Sequence, residues 1–248
     1  PEERLLAVPD DDHVPAGLFG DGLEAVYDPL GELGASHLAE FNTGTGDVIR
    51  ALPFRSMHTD TAEPVWLPAN LLNNLYASNG LSAGNTPEEA QVQGLAEIFE
   101  RAVKGRIIAE GIAPPCVPDT TLACYPNIEG GLRALAEAGF GAWPVDASLG
   151  GRFPVMGVIL LNPKDGGVFA SFGAHPDMGL ALERALTELL QGRDLDQLGG
   201  FPGPTSDLDE AADPNNLELH FIDSSGVVPW RCLRATPDHP FVTWGGTG

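Results

Sequence analysis

The sequence predicts an α+β fold in which an antiparallel sheet packs against helices, and two observations lead to this class. Three strand-like segments follow one another without a helix between them, at residues 142–147, 154–161 and 167–172. Strands and helices therefore do not alternate strictly, as they would in a parallel α/β fold. The second and third segments flank the turn-forming run Asn162-Pro163-Lys164-Asp165-Gly166-Gly167, which predicts that they pair as a hairpin.

The clearest helix signal begins at Thr86. Thr86 is a favourable N-cap, Pro87 suits the first helical position, and Glu89 is spaced to close a capping box. The pattern predicts that this helix continues to Glu110.

The remaining segments have weaker patterns. Residues 1–47 are rich in Asp, Pro and Gly, so we expect mostly loops there, with short apolar pieces at 5–8 and 23–27. Residues 199–216 are expected to form an exposed, mobile loop, and residues 1–248 to form one domain. The other predicted elements are helices over 127–138 and 176–191, and strands over 48–54, 64–67 and 217–222.

The chain is strongly acidic. It has 13 Lys and Arg residues against 35 Asp and Glu residues, a formal net charge of −22. A nucleic-acid partner is disfavoured, because a phosphate backbone is bound through clustered cations. Acidic side chains do suit metal ions, and divalent cations can bridge them to a nucleotide.

Other features of the composition bear on the compartment. No apolar run approaches the ~18 residues that a membrane span needs, and no signal peptide opens the chain. Cys116, Cys124 and Cys232 are an odd number with no close pair, which fits neither a zinc site nor a disulfide framework. We therefore expect a cytoplasmic protein without membrane association. Because the first residue is Pro rather than Met, we also expect a piece of a longer protein.

Projecting residues 89–104 at about 100° per residue divides the first helix into two faces. The predicted buried stripe consists of Val92, Leu95, Ala96, Phe99, Ala102 and Val103. The arc beside it consists of Glu89, Gln93, Glu97 and Glu100, with Arg101 at its edge. This acidic arc is either a solvated face tied by i,i+4 ion pairs, which is the simpler interpretation, or a site for a hard cation such as Mg²⁺. The ion pairs would be Glu97–Arg101 and Glu100–Lys104.

A glycine-bearing loop at residues 79–86 precedes this helix. Ser82 and Gly84 lie in it, and a flexible loop that feeds a helix N-terminus offers backbone N–H groups to an anion. The P-loop pattern GxxxxGK[ST] and the dinucleotide pattern GxGxxG are both absent from the sequence. The loop alone therefore indicates only a general anion site.

Longer motifs are more specific. They are Asn79-Gly80-Leu81-Ser82-Ala83-Gly84-Asn85-Thr86, Glu97-Ile98-Phe99-Glu100-Arg101, Asp146-Ala147-Ser148-Leu149-Gly150-Gly151, Ser171-Phe172-Gly173-Ala174-His175-Pro176-Asp177, Ala181-Leu182-Glu183-Arg184, Glu188-Leu189-Leu190-Gln191-Gly192-Arg193 and His220-Phe221-Ile222-Asp223-Ser224-Ser225-Gly226. Over nearly the whole chain these motifs resemble the YcaO family. The resemblance is strongest to its branch of accessory factors for methylthiolation of protein twelve of the small ribosomal subunit.

The resemblance implies an α+β ATP-binding domain without a Walker motif, in which acidic helices hold Mg²⁺ against the phosphates. The family's Sx6E motif is matched by Ser82 and Glu89, and its ExxxQ motif by Glu89 and Gln93. Its ExxER motif is matched by Glu97, Glu100 and Arg101. The implied ligands are Glu89, Glu97 and Glu100 for Mg²⁺, Ser82 and Gln93 for the nucleotide, and Arg101 and Arg184 for the phosphates. With the resemblance, a cation site becomes the favoured interpretation of the acidic arc.

Two parts of the family pattern find no match in this sequence. The family has an earlier Sx3ExxER helix, preceded by a basic segment, and nothing before residue 79 resembles it. The Pro-rich tail of the azoline-forming members is also unmatched. We therefore expect a domain that is incomplete at both ends, without the upstream helix of the ATP site and without a C-terminal domain.

For activity, the resemblance implies ATP-dependent activation of a backbone amide, since phosphate leaves more readily than an amide oxygen. It implies ATP and Mg²⁺ as cofactors, a ribosomal protein or peptide as substrate, and a role beside a radical methylthiotransferase. A homodimer is the oligomeric state we consider, and no catalytic base can be identified. Two alternatives stay open, namely a non-catalytic interaction module and a component of a peptide cyclodehydratase that forms azolines or thioamides.

Other candidate residues have ordinary structural interpretations. His175 either contacts a phosphate or base, or holds the backbone of its loop. Arg184 and Glu188 have the i,i+4 spacing of a simple ion pair, and only the resemblance raises Arg184 above that. The residues expected to be structural or superficial are His13, His37, His58, His220 and His239.

Overall fold

The computed structural model describes residues 3–19, 25, 28–40, 47–55, 63–74, 80–190, 193–222 and 224–245. The predicted apolar piece at 23–27 (apart from residue 25), His58, Asn79 and Gln191 lie outside these residues. The chain divides into two compact units, Pro1–Ser78 and Asn79–Gly248.

The first unit contains a three-stranded antiparallel sheet in the order β1-β2-β3. Its elements are β1 (Arg4–Ala7), α1 (Ala35–Ala39), β2 (Val48–Phe54), β3 (Val65–Pro68) and α2 (Ala69–Asn74). Buried Leu38, Ile49 and Trp66 belong to its core. The strands predicted at 48–54 and 64–67 are confirmed. The first of the predicted apolar pieces is a strand, because pairing with β2 satisfies a backbone whose sequence alone favours a loop.

The second unit contains the helices and the hairpin that the sequence predicts. Its elements up to residue 188 are α3 (Pro87–Glu110), α4 (Asp119–Leu122), α5 (Pro126–Glu137), β4 (Gly141–Asp146), β5 (Val155–Leu161), β6 (Val168–Ala174) and α6 (Met178–Glu188). The strands pair antiparallel in the order β4-β5-β6, so the α+β prediction and the hairpin prediction are confirmed.

Helices cover both faces of this second sheet. Alternate residues of β5 point to opposite sides, as the period of a strand requires. Val155 and Ile159 pack in the cluster that contains α3, whereas Val158 and Leu160 pack in a cluster that contains residues of α5 and α6. The sheet therefore fixes α3 and α6 on opposite sides of β6.

The ends of α3 follow from local chemistry. The Thr86 hydroxyl accepts a hydrogen bond from the Glu89 N–H at 3.2 Å, which confirms the predicted N-cap. The Glu89 carboxylate accepts from the Asn85 N–H at 2.8 Å, one residue earlier than a capping box requires. Gly111 ends the helix with φ +62°, a left-handed conformation that suits glycine.

The C-terminal part corrects two predictions. Residues 199–216 are not simply a loop, because α7 (Leu208–Ala211) lies within them and Ala211 is fully buried. The strand predicted at 217–222 is wrong, because these residues belong to the helix α8 (Pro214–Ile222). The missed signal is local: the Asp213 carboxylate accepts from the Asn215 N–H at 2.8 Å, and Pro214 takes the first helical position.

Short 3₁₀ helices at Leu195–Gln197 and Trp230–Leu233 complete the second unit. Among the helices that the structure describes, none is long and apolar enough to cross a bilayer.

Candidate functional site

A polar cavity of about 320 Å³ lies between α3, β6, α6 and the end of α8. We call it the acidic-helix pocket, because α3 supplies most of its polar lining. Its lining residues are Gln93, Glu97, Glu100, Arg101, Lys104, Phe172, Arg184, Glu188, Phe221, Ile222 and Ser224. Positive and negative side chains thus share one cavity of a size typical of ligand sites.

Most of the sequence-predicted site residues line this pocket, namely Gln93, Glu97, Glu100, Arg101 and Arg184. Ser82 and Glu89 are described but lie outside the lining. The Ser82 hydroxyl donates to the carbonyl oxygen of Ala90 at 2.5 Å, and Glu89 is engaged with the Asn85 N–H. Both are exposed; Ser82 lies in the loop before α3 and Glu89 lies in the first turn of the helix.

The predicted buried face of α3 is partly wrong. Ala96 and Val103 are buried, but Val92 and Leu95 are 44% and 39% exposed and Ala102 is also exposed. Ile107 and Ile108, which lie beyond the residues used for the prediction, are also buried and pack in the same core. The buried face of α3, which also includes Gly94 and Lys104, is therefore turned from the predicted stripe toward the glutamates. This rotation brings the acidic arc into a half-buried pocket rather than a solvated face.

A glycine lets the preceding loop approach α3 closely. A Cβ at Gly94 would lie 2.8 Å from the Gly80 carbonyl oxygen and 3.0 Å from the Ser82 hydroxyl. The Gly80 N–H donates to Glu97 Oε2 at 3.1 Å, so the same contact connects the loop to the pocket. Gly94 is therefore needed for packing, although glycine is unfavourable inside a helix.

We expect Gly94→Ala to destabilise the protein by about 1–3 kcal/mol, because overpacking outweighs the gain in helix propensity. Gly130→Ala in α5 is the matched control, since a Cβ there meets nothing within 4 Å. We expect Gly130→Ala to stabilise the protein slightly, because alanine has the higher helix propensity. Chemical unfolding of both variants measures the two effects, and a stabilised Gly94→Ala would show that the loop does not pack here as described.

Arg101 connects α3 to the end of α8. Its Nη1 donates to the Phe221 carbonyl oxygen, and its Nη2 lies 3.9 Å from Glu97 Oε1. Its Nε is buried and has no hydrogen-bond partner within the described part of the chain. One of the two i,i+4 pairs expected from the sequence, Glu97–Arg101, is thus present, while the guanidinium keeps an unsatisfied donor.

Arg184 connects α6 to two other elements. Its Nη1 donates to the Ala174 carbonyl oxygen at 3.0 Å, and its Nη2 donates to Gln93 Oε1. Gln93 and Arg184 are far apart in sequence, so the pocket depends on how α3 and α6 pack around β6. This arrangement fits the family-derived prediction that the two residues act at one site.

The carboxyl group of Glu100 is perturbed by its surroundings. Burial raises its pKa from 4.5 to about 7, against the opposing effects of Arg101 and Lys104. Glu188 and Glu97 add to the rise, because a nearby negative charge disfavours ionisation. A cation bound beside Glu100 would reverse this balance.

When a carboxyl group has a higher pKa in the folded state than in the unfolded state, the free energy of unfolding decreases as the pH rises. Between pH 4.5 and about 7 the unfolded chain releases the Glu100 proton and the folded chain keeps it. We expect stability of the metal-free protein to fall across this range by at most about 3 kcal/mol from this residue. Glu100→Gln should remove that fall, so the difference in thermal midpoint between variant and wild type should grow from pH 5 to pH 8. A constant difference would contradict the buried position of Glu100.

Sequence reasoning missed part of the pocket. Lys104 was considered only as an ion-pair partner, and Phe221 and Ser224 were not considered as pocket residues. Lys104 follows Glu100 by four residues, a spacing that could have placed it on the same face. No local pattern could have joined α3 to residues 221–224, because the contact spans 120 residues of sequence.

The donor set has the chemistry of a site for a metal-bound phosphate. Among the described residues, no group of three or more His, Cys, Asp or Glu side chains is arranged to hold a metal ion by itself. Mg²⁺ usually takes only one or two carboxylates and completes its shell with phosphate oxygens and water. Glu97 and Glu100 offer such carboxylates, while Arg101 and Arg184 can bind phosphate oxygens. The residues present therefore fit Mg²⁺ together with a phosphate ligand.

The remaining candidates have structural contacts. His175 Nδ1 accepts from the Asp177 N–H at 2.9 Å, which supports the backbone-holding interpretation. His220 is buried, with Nε2 2.9 Å from the Val227 carbonyl oxygen. Cys116 and Cys124 are exposed free cysteines, and burial raises the pKa of Cys232 to about 12.

Residues 18–244 match the family model described as YcaO cyclodehydratase, ATP- and Mg²⁺-binding. The chain belongs to the YcaO family. The prediction from the sequence motifs is thus confirmed, and the family description agrees with a pocket that mixes carboxylates and guanidinium groups.

Two curated relatives match the chain over its full length. It is 49% identical to the ribosomal protein S12 methylthiotransferase accessory factor YcaO of Escherichia coli (strain K12) and 45% identical to an uncharacterized protein of Haemophilus influenzae. The chain spans 42% of the length of each of these relatives.

A solved structure supports the fold. A heterocyclase in complex with substrate and cofactor is similar over 76% of this chain and 28% of its own, with a TM-score of 0.51 and 22% sequence identity. At this identity the likeness concerns the YcaO-type fold and not the residues of the site.

Proposed function

We propose that the acidic-helix pocket binds ATP together with Mg²⁺. The observation that carries this proposal is the convergence of motif residues on one cavity, namely Gln93, Glu97, Glu100, Arg101 and Arg184. Two facts support it further: the chain belongs to a family described as binding both ligands, and the Arg101 guanidinium has an unsatisfied buried donor.

Each group in the pocket would have a distinct task. Bound Mg²⁺ would neutralise part of the triphosphate charge. Glu97 and Glu100 would supply carboxylate oxygens to the metal, and Arg101 and Arg184 would donate to phosphate oxygens. Gln93 would orient Arg184 and contact the nucleotide, since its amide oxygen already accepts from that guanidinium.

Ser82, in the loop before α3, and Glu89, in the first turn of α3, also belong to this proposal. Their side chains are bonded to Ala90 and Asn85, so they would join the site by exchanging those bonds for ligand contacts. Of the proposed metal ligands, Glu89 therefore has the weakest support from the contacts present.

We further propose that the protein assists methylthiolation of ribosomal protein S12 in the cytoplasm. This rests on 49% identity, over the whole chain, to a relative that carries the name of accessory factor for the S12 methylthiotransferase. The partners would be the ribosomal protein and the methylthiotransferase, and the family chemistry would be ATP-dependent activation of a backbone amide. A homodimer remains a prediction.

Two measurements test these proposals. Calorimetric titration of ATP into the full gene product, with Mg²⁺ or with a chelator, tests nucleotide binding, and we expect binding that requires Mg²⁺. Mass spectrometry of S12 from cells that lack the gene tests the accessory role. We expect reduced methylthiolation, restored by the wild-type gene and not by Glu97→Gln. Normal S12 modification in the deletion strain would overturn the accessory role but not the ATP site.

We also propose that the 248 residues form only part of the ATP-binding domain. Titration of the 248-residue chain beside the full gene product tests this. We expect weaker binding, or none, by the shorter chain, and equal affinity would overturn the proposal.

A further inference from the structure

The side of α3 that faces away from the sheet carries an uncharged row of residues over about five turns. The row has alternating spacings of four and three residues and consists of Gln91, Leu95, Ile98, Ala102, Gly105 and Ala109. We call it the outer seam. Its first four residues are exposed and its last two are half-buried. A helix at a protein surface ordinarily presents charged and polar side chains on this side, so the outer seam does not have the composition of a solvated face.

The N-terminal half of the outer seam exposes large apolar side chains. Leu95 is 39% exposed and Ile98 is 47% exposed, and Val92 beside them is 44% exposed. One exposed apolar residue is ordinary, whereas a row of them indicates a surface that contacts another structure. The core of the second unit is not that structure, because α3 packs in this core through another face, which includes the buried Ile107 and Ile108. The helix thus has two apolar faces, as a helix between two layers does.

The spacing of the outer seam indicates what kind of structure fits it. Apolar residues at alternating intervals of three and four form the contact line between two packed helices, because the side chains of each helix fill the gaps of the other. The small residues Ala102, Gly105 and Ala109 allow close approach at the C-terminal end. Leu95 and Ile98 require smaller neighbours at the N-terminal end. The matching surface is therefore a helix whose bulky residues meet the small end of the seam.

The length of the relatives indicates where this helix comes from. Each curated relative is more than twice as long as the region it shares with the chain, since that region is 42% of its length. A second copy of the chain is disfavoured, because each copy has a formal net charge of −22 and two copies repel each other.

We infer that a helix of the same gene product, from outside residues 1–248, packs on the outer seam. The inference rests on the proposal that these residues form only part of the ATP-binding domain. The seam occupies the same turns of α3 as Glu97, Glu100 and Arg101. The docked helix would therefore also fix the wall of the acidic-helix pocket that these side chains form.

Thermal unfolding of the full gene product tests this inference. We expect Leu95→Glu to lower the thermal midpoint by about 3 °C or more, because the new charge would be buried against the docked helix. Leu180→Glu is the matched control, since Leu180 is a 46% exposed leucine on the helix α6. We expect the control to shift the midpoint by less than about 1 °C. Equal small shifts in the two variants would show that the outer seam faces water and would overturn the inference.

Photo-crosslinking identifies the occupant and decides the question if Leu95→Glu does not fold. A photoreactive phenylalanine analogue replaces Val92, which lies beside the seam, and isotope-labelled and unlabelled copies of the full gene product are mixed before irradiation. We expect cross-links within one copy, from residue 92 to a segment outside residues 1–248. Cross-links between copies, to another protein, or only within residues 1–248 would overturn the inference.

Failure of this inference leaves the two proposals on ATP binding intact. Binding of Mg²⁺-ATP is measured by titration of the full gene product, and the incompleteness of the domain by titration of the 248-residue chain beside it. Equal affinity of the two proteins would overturn the incompleteness alone, and the cross-links would still report whether a helix covers the outer seam.

Discussion

Glu97→Gln in the full gene product is expected to weaken Mg²⁺-ATP binding by at least about 100-fold, or ~2.7 kcal/mol. The substitution removes a metal-binding charge from the acidic-helix pocket. It keeps an acceptor oxygen for the Gly80 N–H, now 3.1 Å from Glu97 Oε2, so the loop contact survives. The expected loss therefore reports on the ligand rather than on local folding.

Glu129→Gln is the matched control for this variant. Glu129 also lies four residues before an arginine on a helix, 3.6 Å from Arg133, but this pair is on the surface. The control is expected to bind as the wild type does, since exposed ion pairs contribute little. Calorimetric titration compares the two, and an unaltered affinity of Glu97→Gln would mean that the acidic arc is only a charged face of α3.

Arg184→Met is expected to have the second large effect, a loss of Mg²⁺-ATP affinity of about 30-fold or more. Its guanidinium donates to both Ala174 and Gln93, so one side chain ties α6 to β6 and α3. Arg184→Lys keeps the charge but lacks the planar fork that reaches two acceptors, and we expect an intermediate affinity.

Arg133→Met, on the surface of α5, is the control for loss of a helical arginine. Nucleotide titration and thermal unfolding are both measured for four proteins, namely the wild type, Arg184→Met, Arg184→Lys and Arg133→Met. If Arg184→Met lowers only the thermal midpoint and binds the nucleotide normally, Arg184 has a purely structural role.

The fold was predictable where the signals are local. Thr86 and Pro87 define the beginning of α3, and turn residues at 162–167 define the hairpin of β5 and β6. The helix α8 was mistaken for a strand because a short apolar run has no decisive period. The local evidence for a helix was the capping by Asp213 together with Pro214 at the first helical position.

The site was predictable where its residues share one helix. Glu97, Glu100 and Arg101 could be recognised from their spacing on α3, together with the family resemblance. The direction in which that face of α3 points could not be predicted, because it depends on how Ile107 and Ile108 pack against the sheet. Contacts between α3 and residues near 221–224 also depend on tertiary packing, and this hid the pairing of Lys104 with Ser224.

The position of the nucleotide is the central claim, and hydrogen exchange of the full gene product with and without Mg²⁺-ATP tests it most directly. We expect slower exchange in peptides that cover the lining of the acidic-helix pocket, above all residues 219–228, in which Phe221 contacts Arg101 and Ser224 contacts Lys104. We expect no change in peptides from the distant surface of α5. Protection elsewhere in the protein, with none at 219–228 or along α3, would contradict the assignment of this pocket.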